Sequence, residues 1–431
     1  MKVKVIGGGL AGVEAAYFLA NRGLEVELYE MRPLKYSKAH TSGLLAELVC
    51  SNSLRSNDLK TAVGLLKREM ELLDSLVIKA ANHAKILGGT SLMVDRNEFS
   101  KFITNVIKNH KNIQVINEEV TKLDLTIPTI IAAGPLASDG LVNHLLELTG
   151  ENNLNFYDAV APIISFELIN LDICYFKDRY VEGKGTYLNC PMSKEEYDKF
   201  YEVLVNAERY APKDFEREIF EACMPIEVMA KRGYQTPLFG PLKPVGLEVE
   251  GKRPYAVVQL RPEDFSSKMY NLVGFQTSLR QGAQREVIKM IPGLENAEIL
   301  RYGVVHRNTY FNSPKILNNG FSFKEYSNLY LAGQISGVEG YVESAASGIA
   351  AAISLYSKLT NGYDISLPET TIIGSLSKYV STPNSNFVPM NANFGIVPIL
   401  EEKVRKKERR AAYAKRALDT LEEFKKENKW I

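Results

Sequence analysis

Residues 2–30, KVKVIGGGLAGVEAAYFLANRGLEVELYE, decide the fold. KVKVI reads as a short buried strand. It runs into Gly7-Gly8-Gly9-Leu10-Ala11-Gly12, a G-x-G-x-x-G turn, and VEAAYFLANRG continues as a helix with Gly23 as its C-terminal cap. A second strand, LEVELYE, ends on Glu30. Gly7 permits the tight turn, Gly9 lets a pyrophosphate approach the backbone, and Gly12 lets helix and strand pack closely. The helix N-terminus faces the phosphate charge. Glu30 lies 18 residues beyond Gly12, where a carboxylate can accept hydrogen bonds from ribose hydroxyls. Such a carboxylate disfavours a 2′-phosphate, so the expected ligand is FAD or NAD rather than NADP.

A late segment favours FAD. Residues 328–351, NLYLAGQISGVEGYVESAASGIAA, read as a strand, a loop and a small-residue helix beginning near Gly340. Such a strand–loop–helix supplies a second helix N-terminus, which in flavoproteins reaches the ribityl chain and ring. The expected cofactor contacts are Gly7, Gly8, Gly9, Leu10, Ala11, Gly12, Glu30, Met31, Arg32, Val120, Gly134, Gly333, Gln334, Gly340 and Tyr341. Gly134 ends the strand-like PTIIAAG, and Val120 follows the strand-like NIQVINEE, placing it beside an adenine.

Between these poles the pattern changes. Residues 36–90 read as mostly helical, and TSLMVDRNEFSKFITNVIKNH as a strand and then a helix capped near Asp95 or Asn97. From about 160 the strand-like PIISFELI, YAVVQL and YNLVGFQTSL flank a helical segment, KEEYDKFYEVLVNAERY. The expected domains are 1–160, the first part of the nucleotide-binding domain; 161–320, an inserted mixed α/β domain; and 321–431, the second part. Within a helix expected at 399–428, KVRKKERRAAYAKR (403–416) carries Lys403, Arg405, Lys406, Lys407, Arg409, Arg410, Lys415 and Arg416 against one acid, Glu408. That density can neutralise several phosphates, although a charge run is equally the solvated face of an amphipathic helix.

With 45% hydrophobic and 24% charged residues, the composition is that of a soluble globular protein. A net charge of +1 gives no strong overall field, so a nucleic acid must be held by a local patch. The N-terminus has no secretory pattern, and no run of about 18 apolar residues suggests a membrane span. A cytoplasmic protein is expected. The four cysteines, 50, 174, 190 and 223, and the five histidines have no metal-binding spacing, so no metal is expected.

Further motifs carry a resemblance. AELVCSNSLRS (46–56), EACMPIEVMAKRG (221–233), LFGPLKPVGL (238–247), RPYAVVQLR (253–261), YNLVGFQTSL (270–279), MIPGLENAEILRYGVVHRNTYFNSP (290–314), AGQISGVEGYVESAASG (332–348) and PMNANFGIVPIL (389–400) occur in that order. With the glycine-rich start they closely resemble the folate- and FAD-dependent tRNA (uracil-5-)-methyltransferases of bacteria, from Val3 to about Leu418. Departures are Ala222 where glycine is expected, Ile335-Ser336 for Met-Thr, and Gln281 for tryptophan.

The resemblance implies an α/β fold: a glutathione-reductase-like FAD domain with an inserted mixed α/β domain and a basic C-terminal helix. It implies transfer of one carbon from methylenetetrahydrofolate to C5 of a tRNA uridine in the T loop, with reduced FAD supplying hydride and NADPH as reductant. No second G-x-G-x-x-G marks a separate NADPH site, so sharing the folate pocket is expected. Ribosomal RNA is the alternative target, and a non-catalytic flavin-binding RNA chaperone the alternative function. A monomer is expected.

The chemistry needs a thiolate to add to uracil C6 and a base to take the C5 proton. By resemblance Cys223 is the nucleophile and Cys50 the proton acceptor. The residues themselves leave the order open, since Cys50 near Arg55 has the setting for a lowered thiol pKa. Cys174 and Cys190 read as buried small hydrophobes. Asn52 and Arg55 are expected to line the flavin or folate. Lys243 and Arg280 are expected to hold the folate glutamate or a phosphate, and Lys406, Arg409 and Arg410 the RNA. His306 is either catalytic or structural.

Overall fold

A computed structural model describes residues 1–431 except Gly88, Asn152, Glu182, Lys184, residues 211–223 and Glu250, and the side chain of Asn153. The first part runs β1 (Lys2–Ile6), α1 (Leu10–Asn21), β2 (Glu25–Glu30), β3 (Ser53–Ser56), α2 (Ala62–Leu72), α3 (Leu76–His83), β4 (Lys85–Ile86), β5 (Ser91–Val94), α4 (Arg96–Lys108), β6 (Ile113–Asn117), β7 (Thr129–Ile131), α5 (Asp139–Thr149) and β8 (Asn153–Ala159). The middle part holds β9 (Ile163–Ser165), β10 (Tyr175–Phe176), β11 (Leu188–Met192), α6 (Lys194–Asn206), α7 (Ile226–Lys231), α8 (Thr236–Phe239), β12 (Ala256–Pro262), β13 (Met269–Leu272), α9 (Gln281–Lys289) and β14 (Ile299–Arg301). The chain returns through β15 (Val305–Phe311), α10 (Ser313–Ile316), β16 (Leu329–Leu331), α11 (Tyr341–Asn361), α12 (Ile372–Ser381) and α13 (Arg409–Glu427).

The five-stranded sheet of the first and last parts has the order β16-β7-β1-β2-β6, with every pair parallel. Parallel strands need covered faces, and the sequence provides them. Val3 and Val5 of β1 are fully buried, and α1 is buried nearly all round between the sheet and α11. The two helices cross closely because their contact is built of small residues. A Cβ on Gly348 of α11 would overlap the Ala11 carbonyl oxygen of α1. Buried carboxylates cap neighbouring helices. Glu14 of α1 accepts the N–H groups of Leu76 (3.0 Å) and Val77 (2.9 Å) at the start of α3. Glu69 of α2 accepts those of Ile372 (2.8 Å) and Ile373 (3.0 Å) at the start of α12.

The middle part is a six-stranded antiparallel sheet, β10-β11-β12-β13-β9-β14. It has its own core, including Leu188, Val258 and Leu272 of the sheet and Tyr197, Phe200 and Leu204 of α6. The antiparallel ribbon β8–β15 joins the two parts. Tyr310, Phe311, Ile316 and Leu317 already pack in the larger core, ahead of residue 320.

Two expectations about secondary structure are corrected. Residues 36–60 are not helical: β3 and loops occupy them, and helix is confined to α2 and α3. The polar residues there satisfy one another locally, with Glu47 accepting from the backbone and hydroxyls of Thr41 and Ser42 at 2.8–3.0 Å. The C-terminal helix begins at Arg409, not 399, so Lys403, Arg405, Lys406 and Lys407 precede it. Helix α13 buries Tyr413, Ala417 and Leu421, and Lys425 donates to the last turn carbonyl of α2 at Leu72.

Candidate functional site: a dinucleotide cleft and a clamped cysteine loop

The turn between β1 and α1 opens the cleft. Gly7 has φ +105° and lies against Ala132 of the neighbouring strand end. A Cβ on Gly12 would overlap the Gly7 carbonyl oxygen, so only glycine lets the helix start so near the strand. Beside Gly9 there is open space, with no atom within 4 Å of where a Cβ would stand. The glycine-rich turn therefore presents bare backbone to the cleft at the start of a helix.

Glu30 closes β2 on the other side. Its Oε2 accepts the Gly8 N–H at 2.9 Å, and its Oε1 accepts the Arg32 N–H at 3.0 Å and Nε at 2.9 Å. Burial pushes this carboxyl up, but Arg32 and the two backbone donors together hold it below its ordinary range. Arg32 is buried and also reaches Glu47 at 3.2 Å.

The cleft holds about 1020 Å³ of empty space, part of it open to solvent, and takes its walls from both the first and the last parts of the chain. Gly7, Gly9, Leu10, Ala11, Glu30, Met31, Arg32, Val120 and Gly134 line it, with Gly333, Gln334 and Tyr341 from the late segment. Three expected residues stand behind the wall. Gly8 lies under Glu30 and Leu45, Gly12 against Gly7, and Gly340 beneath Glu343 and Arg55. His40, Glu47, Val49, Ser138 and Ser344 also line the cleft and were missed. His40, Glu47 and Val49 sit on irregular segments and Ser138 caps α5, while Ser344 lies in α11 within a quoted motif whose spacing did not single it out.

Cys50, half-buried, follows Val49 of the cleft wall. Its loop is fixed residue by residue. The Tyr341 hydroxyl accepts the N–H of Cys50 at 2.6 Å and of Ser51 at 3.1 Å. Arg96, at the start of α4, donates to the carbonyls of Leu48 (3.0 Å) and Cys50 (3.4 Å). Arg301 of β14 donates to the Val49 carbonyl at 3.0 Å, and Arg261 of β12 to the Ser51 hydroxyl at 2.9 Å.

The expected lowered thiol pKa of Cys50 is corrected. Burial, then Asp158 and Glu339, push the thiol up, against Arg96 and Arg261. Arg55, its neighbour in sequence, turns away with φ +61° and pairs with the buried Glu343. Glu343 also accepts the Ala392 N–H at 2.8 Å. Glu339 is buried and receives the Gln334 side-chain N–H at 2.6 Å. Burial, then Asp158, push it well above the ordinary carboxyl range.

Cys223 lies outside the described residues. Met224, which follows it, is buried and packs with Val228 against Tyr157 and Val305 of the β8–β15 ribbon. That ribbon also carries Asp158 opposite His306. His306 is buried, its Nε2 has no partner among the described residues, and burial followed by Arg301 pushes its pKa down to about 4. Cys174 and Cys190 are buried free thiols 3.3 Å apart in the smaller core.

The remaining expected residues scatter. Asn52 is fully buried and donates to the carbonyls of Val94 (3.2 Å) and Pro262 (3.0 Å), so it ties the two parts together and does not line the cleft. Lys243 lies in a turn whose carbonyl accepts from Arg179 at 2.6 Å. Arg280 precedes α9, exposed, and pairs with Glu208 at 2.8 Å. Neither reaches the cleft. Lys406, Arg409 and Arg410 are exposed and form no ion pair among the described residues. Among the described residues no His, Cys, Asp and Glu cluster could hold a metal, and no helix is long and apolar enough to cross a membrane.

A family model described as Glucose inhibited division protein A matches residues 2–362. The chain is 56% identical over 430 residues to the methylenetetrahydrofolate–tRNA-(uracil-5-)-methyltransferase TrmFO of Bacillus subtilis strain 168, covering 98% of both chains. It is 56% identical over 423 residues to the protein of that name from Acholeplasma laidlawii, covering 98% of this chain and 99% of that one. Among solved structures it is similar to Aquifex aeolicus GidA, with a TM-score of 0.69 at 18% identity over 97% of this chain and 76% of that one, a likeness of fold.

Proposed function

From the premise that the chain belongs to the family of methylenetetrahydrofolate–tRNA-(uracil-5-)-methyltransferases, we propose that its target uridine lies in the T loop, that FAD occupies the cleft, and that NADPH reduces it. Folate-dependent methylation of a tRNA uridine at C5 is the activity the family name states. The substrate is thus tRNA rather than ribosomal RNA, and the chain is an enzyme rather than a chaperone.

The cleft fits FAD. The open face of Gly9 at the start of α1 suits a pyrophosphate, and Glu30 at the end of β2 suits a ribose. Gln334 and Tyr341, from the segment leading into α11, add a further wall that suits a ring system. Bound FAD supplies the hydride that completes the methyl group.

The chain's own residues do the rest. The Cys223 thiolate adds to uracil C6, which makes C5 nucleophilic toward the one-carbon unit. Cys50 takes the C5 proton as the carbon–nitrogen bond to the folate breaks, and once the resulting methylene has been reduced, cleavage of the C6–sulfur bond returns Cys223 as its thiolate. Burial, then Asp158, push the Cys50 thiol up, so Cys50 must lose its own proton before it can take the one from C5, and Arg96 and Arg261 favour the thiolate that this requires. One observation carries the reading: Cys50 hangs by its backbone N–H from Tyr341, itself a wall of the cleft.

The test is methylation of an unmodified tRNA transcript with methylenetetrahydrofolate and NADPH, read by nucleoside mass spectrometry. Expected is 5-methyluridine at one T-loop position, lost when that uridine is replaced. Product at another position would overturn the T-loop assignment.

The exposed cations ahead of and within α13 are proposed to hold the RNA backbone. Lys406→Gln with Arg409→Gln and Arg410→Gln is expected to raise the KM for tRNA and leave kcat nearly unchanged. It should also lower the salt slope of tRNA binding by roughly 2–3, about one for each phosphate left without its cation. An unchanged slope would remove these residues from the interface.

A further inference from the structure

We infer that Arg96, oriented by Glu263 of the inserted domain, is a positioning residue that sets both the place and the ionisation of Cys50. The inference rests on the reading of Cys50 as the proton acceptor. Arg96 reaches the Glu263 carboxylate twice, from Nε at 2.7 Å and from Nη2 at 3.2 Å. Its two terminal nitrogens reach the carbonyls of Leu48 and Cys50. One guanidinium thus ties the cysteine loop to a carboxylate just beyond β12. Arg96 is largely buried and Glu263 almost wholly so, with side-chain exposures of 16% and 2%. In such a site a forked pair fixes direction as well as distance.

The inserted domain makes two more contacts with the same loop, through Arg301 to Val49 and Arg261 to Ser51. Arg261 also approaches Glu263 at 3.8 Å. The loop therefore carries its thiol where the inserted domain puts it. The groups facing Cys50 come from several elements. They are Asp158 of β8, Glu339 ahead of α11 and Tyr341 at its start, set against Arg96 of α4 and Arg261 of β12. The two carboxylates disfavour the thiolate and the two guanidiniums favour it. Arg96 also holds the backbone, so its loss affects geometry and charge in the same direction.

The test uses the full chain with Arg96→Gln, Arg96→Lys and the double variant Arg96→Gln with Glu263→Gln. Arg68→Gln, on the exposed face of α2, serves as a surface control. The pH dependence of iodoacetamide alkylation of Cys50 is followed by peptide mass spectrometry, alongside kcat and KM for tRNA methylation. In Arg96→Gln the alkylation midpoint is expected to rise and kcat to fall about 100-fold, the cost of a misplaced reacting group, with KM for tRNA unchanged. Arg96→Lys keeps the charge without the fork. It should return the midpoint toward the wild type while kcat stays reduced.

A folded Arg96→Gln with wild-type midpoint and kcat overturns the inference, as does a loss confined to KM. Should Arg96→Gln fail to fold, the double variant, which removes both buried charges, carries the same expectations. If neither folds, Arg96→Lys decides, and a wild-type kcat there overturns the positioning role. Cys50→Ala separates the two levels. If that variant methylates normally, the reading of Cys50 fails, while the alkylation midpoint in Arg96→Gln still decides what Arg96 does to the thiol.

Discussion

Cys50→Ala is expected to lower the methylation rate about 10²–10⁴-fold, the usual worth of a positioned acid–base group. The substitution is clean because the loop is held through its backbone. The N–H of Cys50 goes to Tyr341 and its carbonyl to Arg96, and alanine keeps both. The lost atom is the sulfur, so flavin content and the KM for tRNA should remain near wild type. Release of tritium from tRNA labelled at uridine C5 reports the affected step directly and should fall with the methylation rate. Cys223→Ala should lose activity at least as completely, since without the nucleophile C5 is not activated. A Cys50→Ala enzyme that releases tritium at the wild-type rate would end the proton-acceptor reading.

Gly348→Ala is expected to destabilise the protein and empty the cleft. In an unconstrained helix the same change stabilises by about 1 kcal/mol, because glycine is the poorer helix former. Here the new methyl would overlap the Ala11 carbonyl oxygen, in a contact between two buried helices that has no slack. Overpacking of this kind costs about 1–3 kcal/mol, so the sign of the helix effect reverses. Helix α1 is pushed along its contact with α11, and Leu10 and Ala11 on the cleft wall move with it. Gly12→Val should act alike, through the Gly7 carbonyl. Thermal unfolding and flavin absorbance per chain check both variants. A Gly348→Ala protein that melts higher and keeps its flavin would show that the crossing can relax.

The nucleotide-binding end of the molecule was legible because its constraints are local. A glycine-rich turn, a strand before it and a helix after it lie within residues 2–21, and the structure keeps that order. The late helix was legible for the same reason, starting at Tyr341 after Gly340. The cysteine environment was not. Arg55 is five residues from Cys50 in sequence yet turns to Glu343, whereas Arg96, Arg261 and Arg301 reach the loop from three distant elements. Charge near in sequence was mistaken for charge near in space. Asn52 misled similarly, since a polar residue beside a candidate thiol proved to be a buried tie between Val94 and Pro262. The segment 36–60 lacks the regular apolar spacing of α2, and its hydroxyls turn to Glu47 instead of forming a helix.

The parallel sheet has a history written into its strand order. Strand β7 pairs with β1 on one side and with β16 on the other, and roughly 200 residues separate β7 from β16 along the chain. At about 5–20 residues per second a ribosome needs roughly 10–40 s to cross that distance. Throughout that interval β7 is an open edge of apolar, unpaired backbone, the kind of template that recruits wrong partners. The antiparallel sheet of the inserted domain, whose strands all lie between Ile163 and Arg301, can close meanwhile. Only when Leu329–Leu331 and then α11 emerge is the edge covered. Gln334, Tyr341 and Ser344, which line the cleft, are the last of its wall residues to emerge. Cofactor loading is therefore a late event of the whole molecule, and the interval before it is when a nascent chain most needs a chaperone.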